Sequence, residues 1–264
     1  MDLKLARVAL RERSILEVLD LAVAFVSRHR AAYLRTMLVA CVPPYVVACM
    51  FGAFAGWEWA WVTAVLLGAA AQAPFTILAS RLVFEGEVRA RDAVSAALRA
   101  MPKVVVVRLA QLLGTVASLA ALVVPGVLAA GAMLFVSEAF LLERADVGAV
   151  FGRSRRLAST RFDVAVGGVF ALTVVVAGAV LLGDVAGRSV VSDVLEFRAP
   201  PSMFEAGGGW LPMLGFWIVV PFVATARFLL YLDFRTRSEG WDVQTRFAAI
   251  AARDEEPDEP AKAA

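Results

Sequence analysis

The sequence predicts an all-α polytopic membrane bundle: six transmembrane helices and three amphipathic interfacial helices. Three observations predict it. The 264-residue chain is 60% hydrophobic and 19% charged, with a mean hydropathy of +0.74, against roughly 45–50% apolar and about 25% charged in average soluble usage. Several uncharged apolar runs reach the ~18 residues that mark a membrane-crossing helix. Twenty-four of the 26 lysines and arginines fall in alternate connections, as the positive-inside rule requires. This composition argues against a soluble globular enzyme, a disordered chain and a nucleic-acid-binding domain.

Taken in order, the segment before the first span carries Lys4, Arg7, Arg11, Arg13, Arg28, Arg30 and Arg35. Within it Ser14 caps a first amphipathic helix, whose apolar stripe is Ile15, Leu16, Leu19, Val23 and Val26. The first span covers about 35–55 and the second about 59–81. A second surface helix follows at about 91–101, with Ala93, Val94, Ala97 and Leu98 inward. The long uncharged stretch from Leu109 to Ser137 is divided at Pro125-Gly126, a turn signal. This gives a third span at about 103–124 and a fourth at about 126–142. An undivided stretch would move the basic cluster of Arg153, Arg155 and Arg156 to the other side of the membrane. That cluster lies on a third surface helix, about 146–156. The fifth span covers about 163–183 and the sixth about 209–231. One more surface helix is expected after it, closing a single domain over 1–250. Residues 251–264, acidic and proline-containing, read as a disordered tail.

The basic connections place both termini in the cytoplasm of a multi-pass protein of the cell (inner) membrane. Surface helices with one apolar and one basic face lie in the membrane interface. Trp57, Trp59, Trp61 and Trp210 cluster at the opposite ends of the spans, as an aromatic belt does. Gly167, Gly168, Ala171 and Ala177 mark close packing of the fifth span. Pro43, Pro44 and Pro221 are the places for a bend near mid-membrane.

Ionisable residues at membrane depth are costly and draw a functional reading. Arg108 precedes Pro125 by 17 residues and Glu138 follows it by 13. At ~1.5 Å per residue the two differ in depth by only ~6 Å. They are therefore expected to face each other as an intramembrane polar pair, with Gln111 one turn beyond Arg108. A buried pair of this kind fixes hairpin register, or forms an ion-coupled or anionic-headgroup site. Arg227, inside the sixth span, either snorkels to the headgroups or pairs with Glu138 or Glu143. Cys41 and Cys49 share one apolar stretch and His29 is the single histidine. No zinc-ligand spacing, nucleophile elbow, P-loop or CxxC motif can be written, so no catalytic residue, metal or cofactor is expected.

Two blocks resemble the bacterial six-helix membrane proteins of the glycerophosphoryl diester phosphodiesterase membrane-domain-like family. The first is EAFLLERADVGAVFGRSRRL, Glu138 to Leu157, through Glu143, Arg153, Ser154, Arg156 and Leu157. The second is LYLDFRTRSEGWDV, Leu230 to Val243, through Tyr231, Asp233, Arg235, Arg237, Glu239, Gly240 and Asp242. Val243 stands where leucine is usual. The paired histidines and acidic metal ligands of a phosphodiesterase barrel are missing, so the resemblance implies a fold and a membrane role without hydrolysis. Arg153, Arg155, Arg156, Arg235 and Arg237 are the candidate contacts to a partner or to lipid headgroups. The expected partners are the bilayer, its anionic headgroups and other membrane or cytoplasmic proteins, with no nucleic acid. The expected role is a non-catalytic scaffold or accessory subunit with a basic cytoplasmic face. The alternative is a small permease-like transporter of an anionic solute or lipid.

Overall fold

The computed structural model describes residues 13–85, 89–143 and 146–238. It is 88% helical, without strands among the described residues, and five to six of its helices are long and apolar enough to cross a membrane. The helices are α1 (Ile15–Arg28), α2 (Arg30–Ala40), α3 (Val42–Ala55), α4 (Trp57–Phe84), α5 (Ala90–Ala121) and α6 (Val123–Ala132). They continue with α7 (Val136–Glu143), α8 (Ala149–Ser159), α9 (Phe162–Ser189), α10 (Met203–Ala206) and α11 (Trp210–Ser238). The helix and tail expected after residue 238 lie outside the described residues.

Helix α1 starts where its capping signal places it. The Glu17 amide donates to Ser14 Oγ at 3.3 Å and the Ser14 amide donates to Glu17 Oε2 at 2.8 Å, so two end donors are satisfied reciprocally. Its buried side is Val18, Ala22 and Phe25, while Leu16 and Val23 of the expected stripe are exposed. In a bilayer the outer surface is apolar too, so an apolar stripe does not by itself mark the inward face.

The helix pair that covers the first expected span is bent. α2 and α3 meet at 41° across Cys41. Pro43 and Pro44 in the first turn of α3 have no amide hydrogen to offer the turn before them, so helical bonding lapses where the sequence places the bend. Gly56, at φ 102, makes the tight reversal into α4, a conformation only glycine adopts at low cost. Helix α5 is one continuous rod. The surface helix expected at 91–101 is its first third, not a separate element, because Pro102 is accommodated inside the helix. At 32 residues and ~1.5 Å per residue it is longer than the ~30 Å hydrocarbon layer.

The reversal between the third and fourth spans falls at Leu122, whose backbone is extended, and not at Pro125-Gly126. Pro125 sits in the first turn of α6, where its missing amide hydrogen costs nothing. The fourth span is itself broken into α6 and α7.

Helix α11 is the pillar of the bundle. It packs against α9, α4, α1, α3, α8 and α7, and 78% of its most apolar window is buried, against 17% for α5 and 22% for α9. The tightest contact is with α9. A Cβ on Gly215 would lie 2.2 Å from the Ala179 carbonyl oxygen, and one on Gly183 would lie 2.8 Å from that of Leu211. Ala179, Gly183 and Gly187 recur every four residues and form the small-residue face that admits α11. The expected Gly167 and Gly168 serve less crowded contacts, to side chains of Ile15, Leu230 and Leu134.

At the tryptophan end the loops are tied down. Trp61 Nε1 donates to the Gly207 carbonyl at 3.3 Å and the Tyr45 hydroxyl to the Trp210 carbonyl at 3.2 Å. The buried Asp184 carboxylate accepts the Met203 amide at 3.3 Å, and Arg188 Nε donates to the Pro200 carbonyl at 3.1 Å.

Candidate functional site

The site grows out of the break in the fourth span. Helical bonding stops at Ala132 and resumes at Val136, which releases backbone groups within the membrane-crossing segment. Each unsatisfied group there costs several kcal/mol. Side chains from three other helices take them up. Gln111 Nε2 donates to the Met133 carbonyl at 2.9 Å, and Arg227 Nη2 donates to the Leu134 carbonyl. On the other side Ser154 Oγ accepts the Phe135 amide at 3.2 Å and donates to the Ala132 carbonyl at 2.9 Å.

Around this break lies a deep polar layer. Arg227 Nη2 pairs with Glu138 Oε2 at 3.0 Å. Arg227 Nη1 and Arg108 Nη2 both donate to Gln72 Oε1, each at 2.9 Å, so one amide oxygen bridges two guanidinium groups. Arg108 Nη1 also donates to Gln111 Oε1 at 3.1 Å. Glu138 is 1% exposed, Arg227 6% and Arg108 7%. The layer joins α4, α5, α7 and α11 and holds two guanidinium groups against one carboxylate. Four of its buried polar atoms have no hydrogen-bond partner among the described residues: Arg108 Nε, Arg227 Nε, Ser137 Oγ and Glu138 Oε1. The recess beside it, lined by Ala73, Val104, Arg108, Ser137 and Phe140, is too narrow for a water molecule.

The expected pair is thus corrected. Arg108 and Glu138 belong to one layer, but the ion pair of Glu138 is with Arg227, and Arg108 is held by Gln72 and Gln111. Facing Arg108 would require the fourth span to be an unbroken helix from Pro125. The earlier reversal and the break at 133–135 rotate Glu138 towards α11 instead. Nor does Arg227 snorkel, because a carboxylate and a free carbonyl stand at its own level.

A second layer lies towards the basic end. Glu143, at the end of α7, accepts the Tyr231 hydroxyl and pairs with Arg153. Arg235 lies 3.6 Å from the same carboxylate and donates to the Tyr231 hydroxyl at 3.1 Å. Arg237 pairs with Asp233 at 3.1 Å, one turn back on α11, and reaches the Arg13 carbonyl at 3.4 Å. Of the five arginines expected to serve contacts, Arg153, Arg235 and Arg237 are engaged inside the molecule. Arg155 and Arg156 are exposed on α8.

The two sequence blocks therefore close on one carboxylate. Glu143 and Arg153 come from the first, Tyr231 and Arg235 from the second. Ser154 stood in the sequence only as a residue of the first block, with no partner assigned to it. Its signal was position: Val150 and Ala158, four residues to either side, are the other buried residues of α8, which puts Ser154 on the inward stripe. Ser154→Ala removes both of its hydrogen bonds and leaves the Phe135 amide unmet. It is expected to cost about 1–3 kcal/mol, readable as a lower thermal midpoint of the detergent-purified protein.

No family model, curated protein or solved structure matches the chain.

Proposed function

We propose that this multi-pass membrane protein is a non-catalytic scaffold or accessory subunit of the cell (inner) membrane, with both termini in the cytoplasm and its basic end offered to a partner. The observation that carries the reading is how the buried ionic groups are used. Arg227, Glu138, Arg108, Gln72 and Gln111 bond to one another and to the carbonyls of a broken helix. Such an arrangement locks helices together. Ser154 then fixes α8 to that core and leaves Arg155 and Arg156 facing outward. The resemblance of the two blocks to a barrel-free membrane-domain family supports the same role. The fixed network at Glu143 is what those blocks build here.

A small permease is the second reading, favoured by the unpartnered buried atoms of Arg108 and Glu138. One set of experiments separates the two. Reversing Arg155 and Arg156 to glutamate is expected to leave the fold intact. It should weaken recovery of crosslinked partners from native membranes by about tenfold or more. Solute uptake into vesicles that is abolished by a well-folded Glu138→Gln variant would instead establish the permease. Orientation is checked by cysteine labelling in a chain with Cys41 and Cys49 replaced by alanine. An impermeant reagent outside the cell is expected to reach position 190 and not position 95 or 155.

A further inference from the structure

We infer that the groove between α2 and the start of α5 binds one anionic glycerophospholipid. The groove has a volume of about 850 Å³ and is lined by Arg35 and Val39 from α2 and by Arg89, Arg91, Val94 and Leu98 at α5, with alanines between. That volume lies in the range of small-ligand sites. α2 opens the first span and α5 the third, so both helices run inward from the same, basic end of the molecule. The groove is therefore graded. Arg89 and Arg91 stand at its outer end and Arg35 stands at the charged end of the first span. Val39 and Val94 follow about one turn further along each helix, and Leu98 about one turn beyond Val94.

Three arginines in one cleft repel one another. All three are exposed, and none has an ion-pair partner among the described residues. Among the described residues the nearby carboxylates do not answer them. Asp92 is on the α5 surface but does not line the groove, and Glu85 is exposed at the end of α4. The arginines therefore call for an anion, and guanidinium groups match a phosphate by paired hydrogen bonds. The rest of the groove excludes a purely polar anion as the best fit. Val39 and Leu98 are 58% and 61% exposed, and Leu34 and Leu38 beside them on α2 are 58% and 65% exposed. An apolar surface of this kind, continuous with a membrane span, suits acyl chains. Phosphate at the arginines and chains along the valines and leucines describe a phospholipid, and basic pockets between spans bind anionic headgroups in this way. The inference rests on the membrane setting and not on the scaffold role.

The test uses the full chain in lipid nanodiscs and in detergent, with phosphatidylglycerol and phosphatidylcholine as probes and native mass spectrometry as the readout. The wild type is expected to retain one phosphatidylglycerol and to prefer it over phosphatidylcholine. At about fivefold per arginine near the surface, R35Q/R89Q/R91Q should lower that preference on the order of 100-fold. R155Q/R156Q, on α8, should leave it within a few-fold. Circular dichroism and gel filtration check that the variants are folded. Should the triple variant fail that check, Val94→Trp fills the groove with the arginines kept, and the same loss is expected. Equal losses in the α8 variant would reduce the effect to diffuse surface charge and overturn the site. Displacement of the lipid by millimolar inorganic phosphate would overturn the phospholipid in favour of a free anion. Crosslinks from Arg35 or Arg89 positions to the acidic segment at 254–259, with no lipid retained, would overturn it in favour of the chain's own tail.

Discussion

Arg227→Ala is expected to destabilise the protein by about 3–5 kcal/mol, the range for breaking a buried ion pair by removing one partner. The loss has three parts. Glu138, 1% exposed, is left without its ion-pair partner. The Leu134 carbonyl at the helix break loses its donor, and Gln72 loses one of the two guanidinium groups it bridges. Membrane-insertion scales put an ionised residue at span centre at roughly +2.5 to +3.5 kcal/mol, which agrees with a cost of this size. The check is denaturant unfolding in mixed micelles followed by circular dichroism. Glu138→Gln in the Arg227→Met background removes the orphaned charge and should recover at least half of the loss. Effects that simply add would mean the two side chains do not share an interaction.

Gly215→Ala is expected to cost about 3 kcal/mol, the upper end for overpacking a core. The added Cβ would meet the Ala179 carbonyl oxygen at 2.2 Å and its carbon at 3.0 Å, with Gly183 Cα at 3.2 Å. Every one of these is backbone, so no rotamer change relieves the clash and α9 must move away from α11. Alanine is otherwise the better helix former by about 1 kcal/mol, which makes the sign of the result informative. Gly178→Ala, on α9 with nothing within 4 Å of its Cβ position, should be neutral or slightly stabilising. The thermal midpoint should fall for Gly215→Ala and hold or rise for Gly178→Ala.

The all-α bundle of membrane-length helices was legible because charge is excluded from hydrocarbon whatever the packing. The Ser14–Glu17 cap and the bend before Pro43-Pro44 were legible because both are local backbone chemistry. The partners inside the bundle were less so. Glu138 pairs with Arg227, 89 residues away, because of a helix break at Met133–Phe135 that holds neither proline nor glycine. No local signal announces it. The inward side of α1 was not legible for a different reason. Lipid accepts Leu16 and Val23 as readily as a core does, so hydrophobicity stops separating inside from outside. The better guide in a bilayer was the recurrence of small residues, and Ala179, Gly183 and Gly187 carried it in plain sight.

The burial of α11 also sets an order of events. Among the described spans it comes last in the chain, and it is the one on which α9, α4, α1, α3, α8 and α7 pack. The described spans before it must therefore enter the bilayer and wait. During that interval Glu138 has no Arg227, the Leu134 carbonyl has no donor, and Glu143 has no Tyr231. A chain stalled before α11 would hold these groups bare within the lipid.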